Sequence, residues 1–546
     1  MASIVNYFSL TYPLKREQFQ RFCADNFASL AYLKQATLSD WTEEPENIRR
    51  LQDHALKNFT RKLNDLWKIL AREFVEQVQQ TPDRFPVLPV PNAFIVPGGS
   101  FQIYFYWDSY WINKGLLFSN MNISVRHILE NLASVVQYHG FIPNSGSVQL
   151  SRRSDPPLFI QMVADYYEAT GNKTFLDQMV QWMDQEMLWW RTNRTVDVKL
   201  PSGSQYQMYQ YRALSSCPRP ENYLTDLSNG VNGTREPDFI WSSIASACES
   251  GLDFSTRWFA YNGKYAGTKY SIQTNNIVPV DLNVYMAWNF VTLASFYEIL
   301  GKTRKADRYR KQHKELRRAI DEVFWSDLDG AWFDYDLEGR KLRRRFYASN
   351  IFPLLLGGYS SRTTEKVQQY LLNSGALSFK GSIISLPLIL SVCEKSDRRS
   401  LFYWFVKCSA TGGIPVSLSN GSHEQWDFPN GWPPLIHLFV ESLRLSNDKK
   451  LVQIGEQVAW KFIRTAYNGL VNPSKGMPSA CWEKYDVRYD DGRPGAGGEY
   501  PVQQGFGWTN GVLLDLIHKF SIKRDQRHQL VFKRKLPLFF IKLNEG

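Results

Sequence analysis

Along most of this chain, apolar residues recur at the three- and four-residue spacing of an α-helix. The clearest example lies between Arg61 and Val78, where charged residues fill the positions between the apolar ones. The same spacing predicts further helices at residues 113–138, 157–169, 174–192, 282–300, 303–324, 362–377, 434–446, 448–467 and 508–520. The alternating pattern of a strand is rare. The chain is therefore predicted to be all-α.

The connections between the predicted helices are long and rich in proline, glycine and aromatic residues. Consecutive pairs of helices joined by such connections suggest a toroid, in which outer helices surround inner ones and the loops carry the functional residues. No Ser- or Gly-rich linker divides the chain. We therefore expect residues 1–546 to form a single domain.

The composition fits a globular protein that is rich in aromatic side chains, with 18 Trp, 28 Tyr and 34 Phe. A net charge of +11 raises the question of nucleic acid, so the distribution of the charge matters. The excess is concentrated at residues 302–318, 340–345 and 523–535. In the first of these, apolar residues keep helical spacing, which indicates a solvated outer face. No nucleic-acid-binding motif accompanies the basic residues, and we expect no such partner.

The six cysteines show no spacing typical of a zinc site or a disulfide framework, so we expect neither a metal nor another cofactor. No segment reaches the roughly 18 apolar residues of a membrane helix, and the first residues do not resemble a signal peptide. Six Asn-X-Ser/Thr triplets nevertheless fit the secretory pathway. They begin at Asn58, Asn122, Asn172, Asn193, Asn232 and Asn420. Because chance supplies several such triplets, the compartment stays open, as does the oligomeric state.

The segment Trp482–Val512 carries the first candidate chemistry. It places Glu483 and Glu499 on either side of a glycine-rich loop. Glycines allow the backbone to approach a ligand closely, and the aromatic rings that follow suit the faces of a sugar. We interpret the segment as part of a carbohydrate-cleaving site, although its composition alone would equally fit a surface loop with solvated acids.

Two further aromatic loops are predicted, Pro97–Trp111 around Asp108 and Glu424–Pro434 around Asp427. Neither has the pattern of a core helix, and three prolines argue against regular structure in the second. Together with GGEYPVQQGFGWTNGV, these loops resemble the signature segments of the trehalases. That family consists of glycoside hydrolases with an (α/α)6 toroid, which split α,α-trehalose into two glucose molecules with inversion.

The resemblance covers about residues 40–520. It implies that Asp253 in ESGLDFSTRW is the general acid and that Glu483 in WEKYD is the general base, with trehalose as the small-molecule substrate. Such a pair suits inverting cleavage, which needs one protonated carboxyl and one ionised carboxylate. The sugar contacts that the resemblance implies are Phe101, Trp107, Asp108, Asn144, Arg153, Arg219, Glu221, Gly251, Trp426 and Glu499. For either arginine, a surface ion pair is the alternative.

The chain departs from the family pattern at several positions. Ser100 stands where the family has arginine, and a hydroxyl cannot replace a guanidinium that reaches several acceptors. Each of the other departures is expected to remove or invert a contact. They are Gln102 and Ile103 for a charged pair, Leu252 for tryptophan, Asp155 for glutamine and Gln504 for an acid.

An insertion at about residues 380–411 also sets the chain apart from the family. An added helical excursion, a disordered loop and an error of the gene model remain open as interpretations. For function, we favour an active trehalase, because both catalytic carboxyls are retained. The alternatives are a trehalase-like disaccharide-binding protein with weak or no activity, and a related glycosidase with a shifted specificity.

Overall fold

The computed structural model describes residues 15–26, 31–378 and 412–522. The insertion at about 380–411 and the basic segment 523–535 lie outside these ranges. Within them, no helix is long and apolar enough to cross a lipid bilayer.

Helices account for most of the described residues. The α-helices are α1 Arg16–Asn26, α2 Glu46–Arg49, α3 His54–Leu70, α4 Glu76–Gln80, α5 Asp108–Phe118, α6 Asn122–His139, α7 Phe159–Thr170, α8 Lys173–Asn193, α9 Tyr223–Val231, α10 Pro237–Glu249, α11 Val280–Ile299, α12 Thr303–Phe324, α13 Ser361–Asn373, α14 Pro433–Leu445, α15 Lys449–Val471 and α16 Gly507–Ile517. A nine-residue 3-10 helix, Ala348–Leu356, precedes α13, and a π-helical turn, His518–Ile522, follows α16.

Strands are short and lie in the connections. They are β1 Leu33–Gln35, β2 Ala71–Phe74, β3 Phe94–Ile95, β4 Thr195–Lys199, β5 Gln205–Tyr209, β6 Ile277–Val278, β7 Trp325–Ser326, β8 Ala331–Trp332, β9 Tyr335–Asp336, β10 Lys341–Leu342, β11 Asn430–Gly431 and β12 Tyr485–Asp486. All pairings are antiparallel, in the orders β1-β2-β3, β10-β9-β6, β4-β5, β7-β8 and β11-β12.

Six helical elements close a ring around the centre of the molecule. Helix α5 packs against α7, α7 against α11, α11 against the 3-10 helix, the 3-10 helix against α14, α14 against α16, and α16 against α5 again. Helices α3, α6, α8, α12, α13 and α15 lie outside this ring, and most of them follow their inner partner directly in the chain. The predicted (α/α)6 toroid is thereby confirmed.

The sequence explains which helices are inner and which are outer. Helix α11 is buried on nearly all sides, as expected of an element enclosed by others. Helix α12 buries one apolar stripe, which includes Tyr309, Leu316 and Ile320, and leaves most of its charged residues toward solvent. The basic residues 302–318 therefore form a solvated outer face, as predicted.

The inner helices present their N-terminal ends to one side of the ring. Trp107 and Asp108 lie where α5 begins, and Trp508 lies in the first turn of α16. At this end the backbone N–H groups lack helical partners and carry partial positive charge, which favours polar and anionic groups. Strands β11 and β12 join two of the loops on this side, because Gly431 pairs with Tyr485.

Several predicted boundaries were wrong. The helix predicted at Arg61–Val78 ends at Leu70, since the chain then becomes the extended strand β2 between β1 and β3. The helix predicted at 113–138 is two helices, because Asn120 adopts a left-handed conformation, with φ of 59°, between them. Helices α9 and α10 were not predicted.

Two segments expected to be irregular begin helices instead. Pro433 and Pro434 occupy the first turn of α14, where a missing N–H leaves no helical hydrogen bond unmade. Asp108–Trp111, predicted as the end of a loop, is the first turn of α5.

Candidate active site

A cleft of about 650 Å³ opens at the N-terminal ends of the inner helices. Its volume is in the usual range for a small-molecule site. The structure brings all the predicted site residues to the wall of this cleft. They are Asp253, Glu483, Phe101, Trp107, Asp108, Asn144, Arg153, Arg219, Glu221, Gly251, Trp426 and Glu499.

Aromatic rings form one side of the cleft. Trp107 lies 5.9 Å from Trp426 and 5.9 Å from Trp508 between ring centroids. Behind them, Trp432 stacks on Trp426 at 3.7 Å. The indole Nε1 of Trp426 is buried, and no described residue accepts its hydrogen bond. A ligand would find flat apolar faces on this side of the cleft.

Asp253 follows α10 after a tight turn at Gly251. A Cβ on Gly251 would lie 2.7 Å from the ring of Trp107, and its φ of 73° is left-handed, so only glycine fits. Burial raises the pKa of Asp253 to about 7; Glu499 adds to the rise and Arg219 opposes it. The Asp253 carboxyl therefore keeps its proton up to near-neutral pH.

Glu483 is fully buried and has different neighbours from Asp253. The hydroxyl of Tyr500 donates to its Oε1 at 2.9 Å, and the N–H of Gln503 donates to its Oε2 at 3.4 Å. The ammonium of Lys484 lies 3.7 Å from Oε2. Burial raises the pKa of Glu483, and these three groups counteract the rise by favouring the charged form. The two carboxyls thus share a cleft but have different electrostatic surroundings.

Ion pairs also form part of the cleft wall. Arg153 contacts Glu221 at 2.7 Å, and Arg219 contacts Glu499 at 3.2 Å. Arg219 also forms a two-point pair with Asp226, on α9. Because the arginine side chains are only 10% and 5% exposed, the alternative of surface ion pairs is wrong. Like Trp426, Arg153 has a buried nitrogen, Nε, without a partner among the described residues.

Glu499 is held ionised by two cations. Burial opposes its ionisation, but Arg219 and Lys269 together keep the pKa of Glu499 below its usual value. The ammonium of Lys269 lies 3.1 Å from Glu499 and 3.6 Å from Glu424. Nothing in the sequence around Lys269 indicated this contact, which depends on a loop far from Glu499 in the chain.

Asp108 and Asp155 add two buried carboxyls to the cleft. Burial raises the pKa of each well above the usual range, and each lies near another acid, Glu483 for Asp108 and Asp108 for Asp155. Asp155 accepts hydrogen bonds from the Asn144 amide at 2.8 Å and from the Trp107 N–H at 3.3 Å. When protonated, the Asp155 carboxyl can both donate and accept hydrogen bonds, as can the side-chain amide of the glutamine that it replaces.

One group of metal-ligating side chains occurs in the described part of the chain, away from the cleft. His437, Glu441 and Asp515 bring their ligand atoms within 4.8 Å of one another. However, the ammonium of Lys519 contacts Glu441 at 3.0 Å and Asp515 at 2.6 Å, and Arg444 pairs with Glu441 as well. The carboxylates are thus neutralised by side chains, which disfavours a metal there.

The family model of the trehalases matches residues 5–391 and 395–521. The chain belongs to the trehalase family. The trehalase of Pimpla hypochondriaca is 35% identical over 511 residues, which cover 92% of this chain and 81% of that protein. The trehalase of Homo sapiens is 35% identical over 526 residues, covering 95% and 83%.

A solved structure supports the fold. Neutral trehalase Nth1 from Saccharomyces cerevisiae superimposes with a TM-score of 0.59 at 19% identity, covering 86% of this chain and 83% of that one. At this identity, the match shows a shared fold.

Within this trehalase-family cleft, the departures from the family pattern differ in their placement. Ser100, Gln102, Ile103 and Asp155 line the cleft, so they can alter sugar contacts. The backbone N–H of Ser100 donates to the side-chain oxygen of Gln503 at 2.7 Å.

Two other departures lie outside the cleft wall. Leu252 is buried in the core, where its carbonyl accepts a hydrogen bond from Trp258 at 3.0 Å. Gln504 is exposed and forms a backbone bridge with Trp482. Neither residue lines the cleft, and the expected loss or inversion of a contact at these two positions stays a prediction.

Proposed function

We propose that this chain hydrolyses the α,α-1,1 bond of trehalose to two glucose molecules with inversion, with Asp253 as general acid and Glu483 as general base. The observation that carries the proposal is the placement in one aromatic cleft of two carboxyls, Asp253 and Glu483, whose electrostatic surroundings differ. The substrate is inferred from the relatives of the chain, which are named trehalases.

The acid step needs a carboxyl that is protonated at the working pH. Burial gives Asp253 a pKa of about 7, so below that pH it can deliver a proton to the glycosidic oxygen as the bond breaks. Arg219 favours the carboxylate that results, because it lowers the pKa of Asp253. The proton of Asp253 is thus held by burial and its loss is eased by the guanidinium.

The base step needs an ionised carboxylate on the other face of the sugar. Glu483 takes a proton from water while that water attacks the anomeric carbon and the bond to the leaving oxygen breaks. Tyr500 and Gln503 hold its two oxygens, and Lys484 compensates its charge. One displacement inverts the attacked carbon and leaves the other glucose unchanged.

Substrate binding would use the remaining cleft residues. The rings of Trp107, Trp426 and Phe101 offer apolar faces, while Asn144 and the charged pairs offer donors and acceptors for hydroxyl groups. We further propose that the whole chain works as one catalytic domain.

The test is release of glucose from trehalose by the purified protein and by the variants Asp253→Asn and Glu483→Gln. Each substitution keeps the shape of the side chain but removes its acid or base, so turnover should fall by at least about 10³-fold. Glu186→Gln is the matched control, since Glu186 is a buried carboxyl that does not line the cleft. Trehalose binding without any glucose release by the unmodified protein would instead support a disaccharide-binding protein.

A further inference from the structure

Two fully buried polar side chains, Gln425 and Lys484, lie between the loops that carry Asp253 and Glu483. Neither belongs to the residues that line the cleft. Burying a lysine is unfavourable unless its charge and its donors are satisfied. The contacts of Gln425 and Lys484 therefore indicate which segments of the chain the two side chains connect.

The Gln425 amide has a defined partner on each side. Its Nε2 donates to the backbone carbonyl of Asp253 at 2.6 Å. Its Oε1 accepts from the Lys484 ammonium at 2.8 Å. The orientation of the amide follows, because a carbonyl can only accept and an ammonium can only donate.

The backbone of the same segment is fixed as well. The carbonyl of Gln425 accepts from the indole of Trp432 at 2.7 Å and from the Asn430 amide at 2.9 Å. Gly498 lies directly over the side chain, and a Cβ there would lie 2.5 Å from Gln425 Oε1. Little freedom remains for Gln425 to move relative to the loop of Glu499.

Lys484 completes the connection to Glu483. Its ammonium lies 3.7 Å from Glu483 Oε2 and 3.5 Å from the carbonyl of Gly497. It also lies over the rings of Trp432 at 4.8 Å and Tyr500 at 5.4 Å, where ring faces attract a cation. A continuous path thus runs from the Asp253 carbonyl through Gln425 and Lys484 to the Glu483 carboxylate.

We propose that Gln425 and Lys484 are positioning residues that tie the acid to the base and keep Glu483 ionised. The inference rests on the proposed roles of Asp253 and Glu483. Gln425 fixes the backbone at the acid, and the Lys484 charge favours the carboxylate form of the base. A purely structural pair would affect folding but not the pH at which the base ionises.

The charged and titratable groups that face Glu483 are Lys484, Tyr500 and Asp108; Asp253 in turn acts on Lys484 and Tyr500. Lys484 lowers the pKa of Glu483. Because the base must be ionised, its pKa sets the acid limb of the pH profile of kcat/KM. Removing the lysine charge should raise that pKa and move the acid limb to higher pH.

The experiment compares the pH profiles of kcat and kcat/KM on trehalose for the full chain and for Lys484→Met, Gln425→Leu and the double variant. For Lys484→Met we expect the acid limb to move up by about one pH unit and kcat to fall about tenfold or more. Gln425→Leu should lower kcat, and the double variant should lose much less than the product of the two single losses. Lys461→Met removes a half-buried lysine outside the cleft and should leave the profile unchanged.

An acid limb for Lys484→Met that superimposes on that of the unmodified protein would overturn the proposal, as would fully multiplicative losses in the double variant. If the melting curve shows that Lys484→Met does not fold, the pH profile of Lys484→Gln is measured instead and its acid limb is judged in the same way. Glutamine keeps a hydrogen-bond donor at this position but removes the charge. Failure of the unmodified protein to release glucose would refute the proposed function instead, so the two failures are distinguishable.

Discussion

Asp253→Asn should stabilise the protein in a pH-dependent way while it abolishes turnover. Burial raises the pKa of Asp253 from 3.8 to about 7 in the folded protein. The unfolded chain has no such environment and releases this proton near the ordinary pKa. Between the two values, raising the pH therefore favours unfolding, and the loss is complete above about pH 7. Asparagine does not ionise and escapes this loss.

The size of the effect follows from the shift in pKa. A rise of about three units corresponds to a loss of about 4 kcal/mol of stability, which is small near pH 4 and complete near pH 8. For 546 residues, the entropy of unfolding is about 1.1 kcal/mol per degree. The Tm of Asp253→Asn minus that of the unmodified protein should accordingly increase by about 3 to 4 °C between pH 4 and pH 8.

The assay is a thermal melting curve of both proteins across this pH range at constant ionic strength. Carboxyls distant from Asp253 contribute equally in both proteins, so their contributions cancel in the difference. Glu186→Gln is an informative control, because burial raises the pKa of Glu186 to about 8 and Tyr106 donates a hydrogen bond to it. It should show a pH-dependent difference in Tm while it retains activity.

A Tm difference for Asp253→Asn that stays constant from pH 4 to pH 8 would show that the pKa of Asp253 is not raised in the folded protein. It would mean that Asp253 is ionised throughout this range in the folded protein. Such a carboxylate could not serve as a general acid near neutral pH.

Three further substitutions test the cleft. Ser100→Arg restores the family's guanidinium to the cleft wall, and we expect kcat/KM on trehalose to rise about tenfold; no rise would mean that the sugar is held differently here. Gly251→Ala places a Cβ 2.7 Å from the Trp107 ring at a left-handed φ, so kcat/KM should fall about 100-fold, and retention of full activity would contradict the packing. Tyr500→Phe removes the hydroxyl that donates to Glu483; the acid limb of the pH profile should move up by about half a unit, and an unshifted limb would argue against this hydrogen bond.

The spacing of apolar residues was enough to predict most helices of the toroid, because outer helices such as α12 bury one stripe and expose the rest. The same spacing could not show where a helix ends when apolar residues continue beyond it. Asn120 turns the chain between α5 and α6, and an extended strand follows Leu70, although the pattern continues through both places. Tertiary pairing decides such boundaries.

The candidate site was predictable where it is contained in local motifs, and the predicted residues do meet in one cleft. Contacts between distant segments were not predictable. Gln425 and Lys484 are adjacent in sequence to predicted site residues, but their hydrogen bond spans 59 positions and only the fold brings them together. The same is true of Lys269 and Glu499, which are 230 positions apart. A spacing pattern carries no information about such pairs.

Inverting hydrolysis of trehalose by Asp253 and Glu483 is tested most directly by the anomeric form of the glucose that is released. Proton NMR of the reaction mixture in its first minutes detects this form before the glucose anomers equilibrate. A single displacement inverts one anomeric carbon and leaves the other in its original configuration. We therefore expect α- and β-glucose in equal amounts at the earliest times. Formation of α-glucose alone, or no glucose at all, would contradict this expectation.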